Sequence, residues 1–319
     1  MQERSDLQAI QVQQLTRKFG SFVAVDGLSF EVYDGEVFGL LGPNGAGKTT
    51  TIRLLTCLIS PTEGSAKVCG FEVTKEPAKV RELVGILTEN PCLYERLTPY
   101  ENMDFFAQAY GVSNPADRNG RIRELLRFFD LWDERAKRVA LLSKGMKQKL
   151  SLARALVHKP RVLLLDEPTA GLDPESAVEV RNMITRLSDE EGRAIMLSTH
   201  RLEDAEKLCD RVMIIDKGKR IIDGTPETLR RRLAGPPVIE VIVRNEASQM
   251  VNSIRSVPSV KAFTIDSQRR LLITVNDPES AAPEVVAAIV HAGGQILSVK
   301  VLEPSLEDVY LQLIKESAH

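Results

Sequence analysis

Between residues 8 and about 224 the chain alternates short apolar runs with segments whose apolar positions return every three or four residues. The first pattern predicts buried strands and the second amphipathic helices, so their alternation predicts an α/β domain with a largely parallel sheet. Four runs read as central strands: EVFGLLG ending at Gly42, RVLLLD ending at Asp166, AIMLST ending at Thr199 and RVMIID ending at Asp216. Residues from about 98 to 160 read mostly as helix, which predicts a helical insertion. The texture then changes. Thr225 and Pro226 open a short helix in TPETLRRRLAGPP, and Gly235-Pro236-Pro237 closes it as a linker. The run Arg230 to Arg232 reads as a solvated helix face, with a phosphate or membrane contact as the alternative. Beyond it VIEVIV, KAFTID and RLLITV predict strands. They are followed by a helix near Pro283 to Ala292, the strand QILSVKV, and a final helix opened by Ser305-Leu306-Glu307-Asp308, a capping-box spacing. The expected organisation is a main domain over 8–225, a linker over 226–237 and a small α+β domain over 238–319.

Composition narrows the function classes. The 319 residues are 43% hydrophobic, enough to fill a core, and 42 basic residues nearly cancel 44 acidic ones. No strong global field attracts polyanions, so no nucleic-acid partner is expected. Cys57, Cys69, Cys92 and Cys209 form no CxxC pair, which argues against a disulfide framework or zinc site and makes a reducing cytoplasm the default. The charged MQERSDLQAI start lacks a signal-peptide apolar region, and no apolar run approaches the ~18 residues that span a bilayer. The chain is expected not to cross a membrane unaided.

Specific chemistry begins where EVFGLL runs into Gly42-Pro43-Asn44-Gly45-Ala46-Gly47-Lys48-Thr49-Thr50. This is G-x-x-x-x-G-K-[ST] between a strand and a helix, the setting a phosphate loop requires. Its glycines let backbone N–H groups wrap phosphate, Lys48 supplies charge for the β and γ phosphates, and the Thr49 hydroxyl can hold Mg²⁺. RVLLLD delivers Asp166-Glu167 to the carboxyl end of a buried strand, where open α/β sheets bind ligands. There Asp166 would face Mg²⁺, directly or through water, and Glu167 would orient or deprotonate an attacking water. His200 follows AIMLST and opens HRLEDAEKL; it reads either as a γ-phosphate contact or as an ordinary helix-start residue.

One segment fits poorly at first sight. In LLSKGMKQKLSLARAL, Ser143 is a natural N-cap, and Met146, Leu150, Ala153 and Val157 share a face while Lys147, Lys149 and Arg154 can point away. Lys144 then opposes the helix dipole, and Gly145 costs up to ~1 kcal/mol relative to alanine. Either Lys144 is merely solvated and Gly145 merely packs tightly, or something anionic approaches closely.

GPNGAGKTT, LSKGM, LLLDEPTAGLDP and STH occur in the order and approximate spacing of the ATP-binding subunits of ABC transporters, which residues 8 to 225 resemble. ENPCLYERLTPYENM and EPSLEDVYLQL resemble the ABC-2 exporter branch that includes the daunorubicin-resistance and sodium-export ATPases. The resemblance implies a P-loop ATPase fold with a helical subdomain and an antiparallel β portion. It also implies ATP and Mg²⁺ as cofactors, and a head-to-tail dimer in which each ATP lies between two chains. LSKGM then corresponds to the signature segment, so that Ser143, Lys144 and Gly145 would meet the γ-phosphate held by a second copy. Phe19 in RKFGSF matches the aromatic that stacks on adenine, Asp173 belongs to the D-loop, and His200 matches the switch histidine. Two segments depart from the family pattern. Lys144 and Met146 replace glycine and glutamine of LSGGQ, and Glu89 in ILTENP replaces the Q-loop glutamine, which adds a carboxylate near the metal. The implied partner is a separately encoded membrane permease, with this chain on the cytoplasmic face of the membrane. A nucleotide-dependent switch on a non-membrane partner, or a catalytically idle subunit, are the alternatives.

Overall fold

The computed structural model describes residues 7–90, 92–233, 237–267 and 269–302. The final helix expected from Ser305 lies outside them. The chain divides into two compact units, Met1–Pro226 and Glu227–His319.

In the first unit a hairpin of β1 (Gln8–Phe19) and β2 (Phe22–Tyr33) leads into β3 (Val37–Leu41), the phosphate-loop segment and α1 (Lys48–Leu55). Next come β4 (Glu63–Val68), β5 (Phe71–Glu72), α2 (Pro77–Leu83) and β6 (Val84–Leu87). The expected insertion follows as α3 (Pro99–Ala109), α4 (Pro115–Phe128) and α5 (Lys144–Ala155). The unit continues with β7 (Val162–Asp166), α6 (Pro174–Asp189), β8 (Ala194–Thr199), α7 (Leu202–Leu208), β9 (Arg211–Asp216) and β10 (Lys219–Gly224).

Two sheets result. The antiparallel one runs β2-β1-β4-β5, and the other runs β10-β9-β3-β8-β7-β6, parallel except for the β9–β10 hairpin. Every residue of β3, β7 and β8 is buried, as strands covered on both faces must be. Their neighbouring carboxyl ends bring the phosphate loop, Asp166-Glu167 and Thr199-His200 to one edge of the sheet.

The second unit contains α8 (Pro226–Leu233), β11 (Val238–Val243), α9 (Val251–Arg255), β12 (Val260–Ser267), β13 (Arg270–Val275), α10 (Pro278–His291) and β14 (Ile296–Leu302). Its antiparallel sheet has the order β12-β13-β11-β14. Alternate residues Ile239, Val241 and Val243 join Leu271, Ile273 and Val275 in a core with Ala281, Val285 and Ile289 of α10. The expectation of a helix near Pro283 placed its start too late. Asp277 caps α10 through Glu279 N at 3.2 Å and Ser280 N at 3.4 Å, and Pro278 takes the first position, so Pro283 lies inside the helix.

Candidate functional site

The phosphate-loop backbone is shaped by its glycines. Gly47 has φ +107°, and a Cβ there would collide with the Ala24 carbonyl oxygen; Gly45 has φ +83°. Only glycine takes such conformations freely. The Lys48 ammonium donates to the carbonyls of Gly42 at 2.7 Å and Pro43 at 3.1 Å. Burial pushes its pKa down, while the carboxylates of Glu167, Asp166 and Glu89 push it up.

These residues line a cavity of about 290 Å³, bounded by Asn44 to Thr50, Glu89, Asp166, Glu167 and His200, with Phe22 and Ala24 at its side. The Thr49 hydroxyl donates to Asp166 Oδ2 at 2.9 Å, and the Ser198 hydroxyl donates to the other carboxylate oxygen. A hydroxyl, a carboxylate and the nearby Glu89 form a hard oxygen set of the kind Mg²⁺ prefers, so the residues present fit that ion.

Glu167 has φ +51°, a left-handed conformation that costs a non-glycine residue roughly 1–3 kcal/mol and persists where surrounding bonds enforce it. Here Glu167 N donates to the Ser198 carbonyl at 2.9 Å. Its carboxylate Oε1 accepts from His200 N at 3.0 Å and lies 2.7 Å from His200 Nδ1, while Oε2 accepts from the Thr199 hydroxyl at 3.1 Å. The carboxylate is buried, and the histidine half exposed, on the cavity side. Both groups line the cavity, so the bonded pair can bind a water or a phosphate oxygen beside it.

The remaining sequence candidates lie apart from this cavity. Phe19 pairs with Phe22 across the β1–β2 hairpin, 46% exposed, with the Arg17 guanidinium 4.5 Å from its ring centroid. Ser143 caps α5 by accepting from Met146 N at 3.2 Å, and Asp173 caps α6 by accepting from Ser176 N at 2.9 Å. That bond holds the Asp173 carboxyl below its usual range. Gly145 is buried, and a Cβ on it would strike the Ser176 side chain, so the close fit is between α5 and α6 of the same chain. The Lys144 ammonium rests against Gly171.

One expectation for α5 is corrected. Lys149 and Arg154 do not point away; both are 8% exposed. Lys149 pairs with Glu179 at 2.6 Å, and Arg154 lies 4.9 Å from the Phe106 ring centroid and donates to the Cys92 carbonyl at 3.1 Å. Long side chains bury their stems when their heads find partners. Sequence reasoning also missed Gln148, which donates to the Pro168 carbonyl at 2.7 Å, and Ser198 and Thr199, which hold the two carboxylates. Only the position of Ser198 and Thr199 at a strand's carboxyl end signalled their role.

Comparison with known proteins agrees with this architecture. The ABC transporter family model matches residues 25–170, and the model for the C-terminal domain of DrrA1-3-like ATP-binding proteins matches residues 224–314. The chain is 34% identical over 305 residues to the linearmycin resistance ATP-binding protein LnrL of Bacillus subtilis (strain 168), covering 95% of this chain and 97% of that one. It is 38% identical over 317 residues to the daunorubicin resistance ATP-binding protein DrrA3 of Streptomyces coeruleorubidus, covering 97% and 99%. Among solved structures it is similar to the dimeric structure of MJ0796, a bacterial ABC transporter cassette, with TM-score 0.62 and 25% identity over 68% of this chain and 98% of that one. The chain thus belongs to the ABC transporter family, as an ATP-binding and ATP-hydrolysing subunit that carries a DrrA-type C-terminal domain.

Proposed function

We propose that this subunit hydrolyses ATP between two copies of itself, bound head to tail, and passes the resulting motion to a separately encoded export permease from the cytoplasmic face of the membrane. The observation that carries the reading is the meeting of Glu167 with His200, and of Thr49 with Asp166, at the mouth of one phosphate loop. Residues 8–225 are the motor, 226–237 the connection and 238–319 an accessory domain, best suited to bracing the dimer. The relatives named for linearmycin and daunorubicin resistance support export as the task.

In this mechanism the loop from Gly42 to Thr50 wraps the β and γ phosphates, and Lys48 exchanges its carbonyl partners for phosphate oxygens. Phe19 stacks on adenine. Thr49, Asp166 and Glu89 would hold Mg²⁺, which when bound neutralises charge on the β and γ phosphate oxygens. Glu167 orients the attacking water and accepts its proton, and His200 fixes the Glu167 carboxylate and contacts the γ-phosphate. Ser143, Lys144 and Gly145 of the second copy close over the same phosphate, with Asp173 signalling across the dimer. Most of the acceleration comes from positioning and fixed charge.

The Glu167→Gln variant tests the catalytic part. It is expected to bind ATP, accumulate a closed dimer and lose turnover; unchanged turnover would refute the assignment of Glu167. Mass spectrometry of proteins copurifying from detergent-solubilised membranes tests the rest. A multi-helix permease supports the export reading, whereas recovery with ribosomes or an assembly scaffold in the soluble fraction favours the switch.

A further inference from the structure

Asp204 is completely buried, four residues beyond His200 on α7. A buried carboxylate is costly unless paired and hydrogen-bonded, and its partners therefore say what it is for. It pairs with Arg181 Nη1 of α6 at 2.8 Å and accepts from the Thr169 hydroxyl. Arg201 Nε stands 3.9 Å away. The same Arg201 donates through Nη1 to the Thr169 carbonyl at 3.0 Å, and its backbone N donates to Thr199 Oγ1 at 2.9 Å. That hydroxyl in turn donates to Glu167.

The bonds form a closed circuit. It runs from Glu167 through the turn at Pro168 and Thr169 to Arg201, then through Thr199 back to the Glu167 carboxylate. Asp204 joins it at the Thr169 hydroxyl and balances both arginines. Glu167 needs such bracing, because its left-handed backbone is held in place only by its surroundings.

We propose that Asp204 is a positioning residue for hydrolysis. It locks the turn after Glu167 to the helix after His200, so that carboxylate and imidazole move as one unit. The inference rests on the reading of Glu167 as the water-orienting group. Without the Asp204 charge the two arginines repel, Arg201 releases Thr169, and Glu167 loses its aim while the phosphate loop stays intact.

The test compares steady-state ATP hydrolysis by the full chain with Asp204→Asn, Thr169→Val, Arg201→Gln, Glu36→Gln and Glu167→Gln. Misaimed catalytic groups cost on the order of 100-fold in rate, so Asp204→Asn should lower kcat by about that factor. KM for ATP should stay within about twofold, because ground-state binding is untouched. Thr169→Val and Arg201→Gln should give the same split with smaller losses, and they decide the matter if Asp204→Asn fails to fold. Glu36→Gln breaks another ion pair, between buried Glu36 and half-buried Arg211 at 3.0 Å, at the far end of β3, and should lower thermal stability without changing kcat. Unchanged kcat in folded Asp204, Thr169 and Arg201 variants, beside an inactive Glu167→Gln, would overturn the inference alone. A kcat loss matched by Glu36→Gln, or by a parallel rise in KM, would also overturn it, as a stability effect. An active Glu167→Gln would overturn the reading beneath it.

Discussion

Two helix N-termini in the first unit begin with lysine and carry no acidic residue in their first turn, yet their surroundings differ. At α1 the cap is Gly47, no side chain caps the helix, and Lys48 is 6% exposed beside carboxylates of its own chain. At α5 the cap is Ser143, the Lys144 head lies on Gly171, Glu95 pairs with Lys147 at 2.9 Å, and Asp173 is engaged in capping α6. The first end has no side-chain cap and borders a cavity that its own chain lines, with Asp166 and Glu167 among the lining residues. The second is packed against Gly171 and Ser176 of its own chain, but its first turn carries no acidic residue to offset the dipole. The same local device thus faces acids of its own chain across a cavity at one place, and at the other is capped by a side chain with no acid in its first turn.

The comparison breaks most visibly through Lys48. Lys48→Ala removes a fixed charge from the phosphate site, which for one preorganised donor costs about 100- to 1000-fold in kcat. Hydrolysis assays should show that loss with the fold retained, since Lys48 bonds only to carbonyls of its own loop. Retained turnover would mean the α1 end is not the phosphate site.

Mixing chains sharpens the contrast. A Lys48→Ala chain and a Ser143→Arg chain should each be inactive alone. Mixed one to one, head-to-tail pairing leaves half of the dimers mixed with one sound site each, so roughly a quarter of wild-type activity should return. If both ends served the same nucleotide within one chain, no activity would return on mixing.

Much of the α1 site was legible from sequence because its determinants are local. β3, β7 and β8 are buried along their whole length, and their carboxyl ends lead into the phosphate-loop segment, Asp166-Glu167 and Thr199-His200, so periodicity and motif spacing agree. What escaped detection depends on partners far along the chain. Lys149 and Arg154 carry charges that sequence assigns to solvent, and only Glu179 and Phe106 explain their burial. Asp204 reads as one more helix-start acid until Arg181 and Thr169 are seen beside it. Gly145 matched a signature glycine, but its immediate neighbour is Ser176 of its own α6.

A smaller effect separates the folding and functional roles at α5. Lys144→Ala removes a cation from a helix N-terminus and replaces it with the best helix former, which should stabilise the chain by about 0.3–1 kcal/mol. If Lys144 faces the phosphate held by a second copy, turnover should fall several-fold in the same variant. Thermal unfolding and hydrolysis measured together would then move in opposite directions. A stabilised variant with full turnover would return Lys144 to being an exposed lysine.

The opposite end of α5 offers the mildest test, because there a buried histidine is held by groups of its own chain. His158 stacks on Tyr110 with centroids 3.9 Å apart and bonds through Nε2 to the Val84 carbonyl at 3.1 Å. Burial pushes its pKa down to about 4 from 6.5, with Arg193 and Arg121 nearby adding to the fall. Between those values the unfolded chain takes up a proton that the folded chain refuses. Stability present above about pH 6.5 is therefore lost as pH falls toward 4, by about 2 kcal/mol at pH 5. His158→Gln can keep an N–H for Val84 but cannot titrate, so its thermal midpoint should fall less between pH 7 and pH 5 than that of the wild type. ATP turnover at neutral pH should be the same in both, because His158 is already neutral there. Equal acid sensitivity in the two proteins would show that the closed end of α5 is not held by a neutral histidine. A turnover defect at neutral pH would show instead that the anchored end of the helix is not independent of its N-terminus.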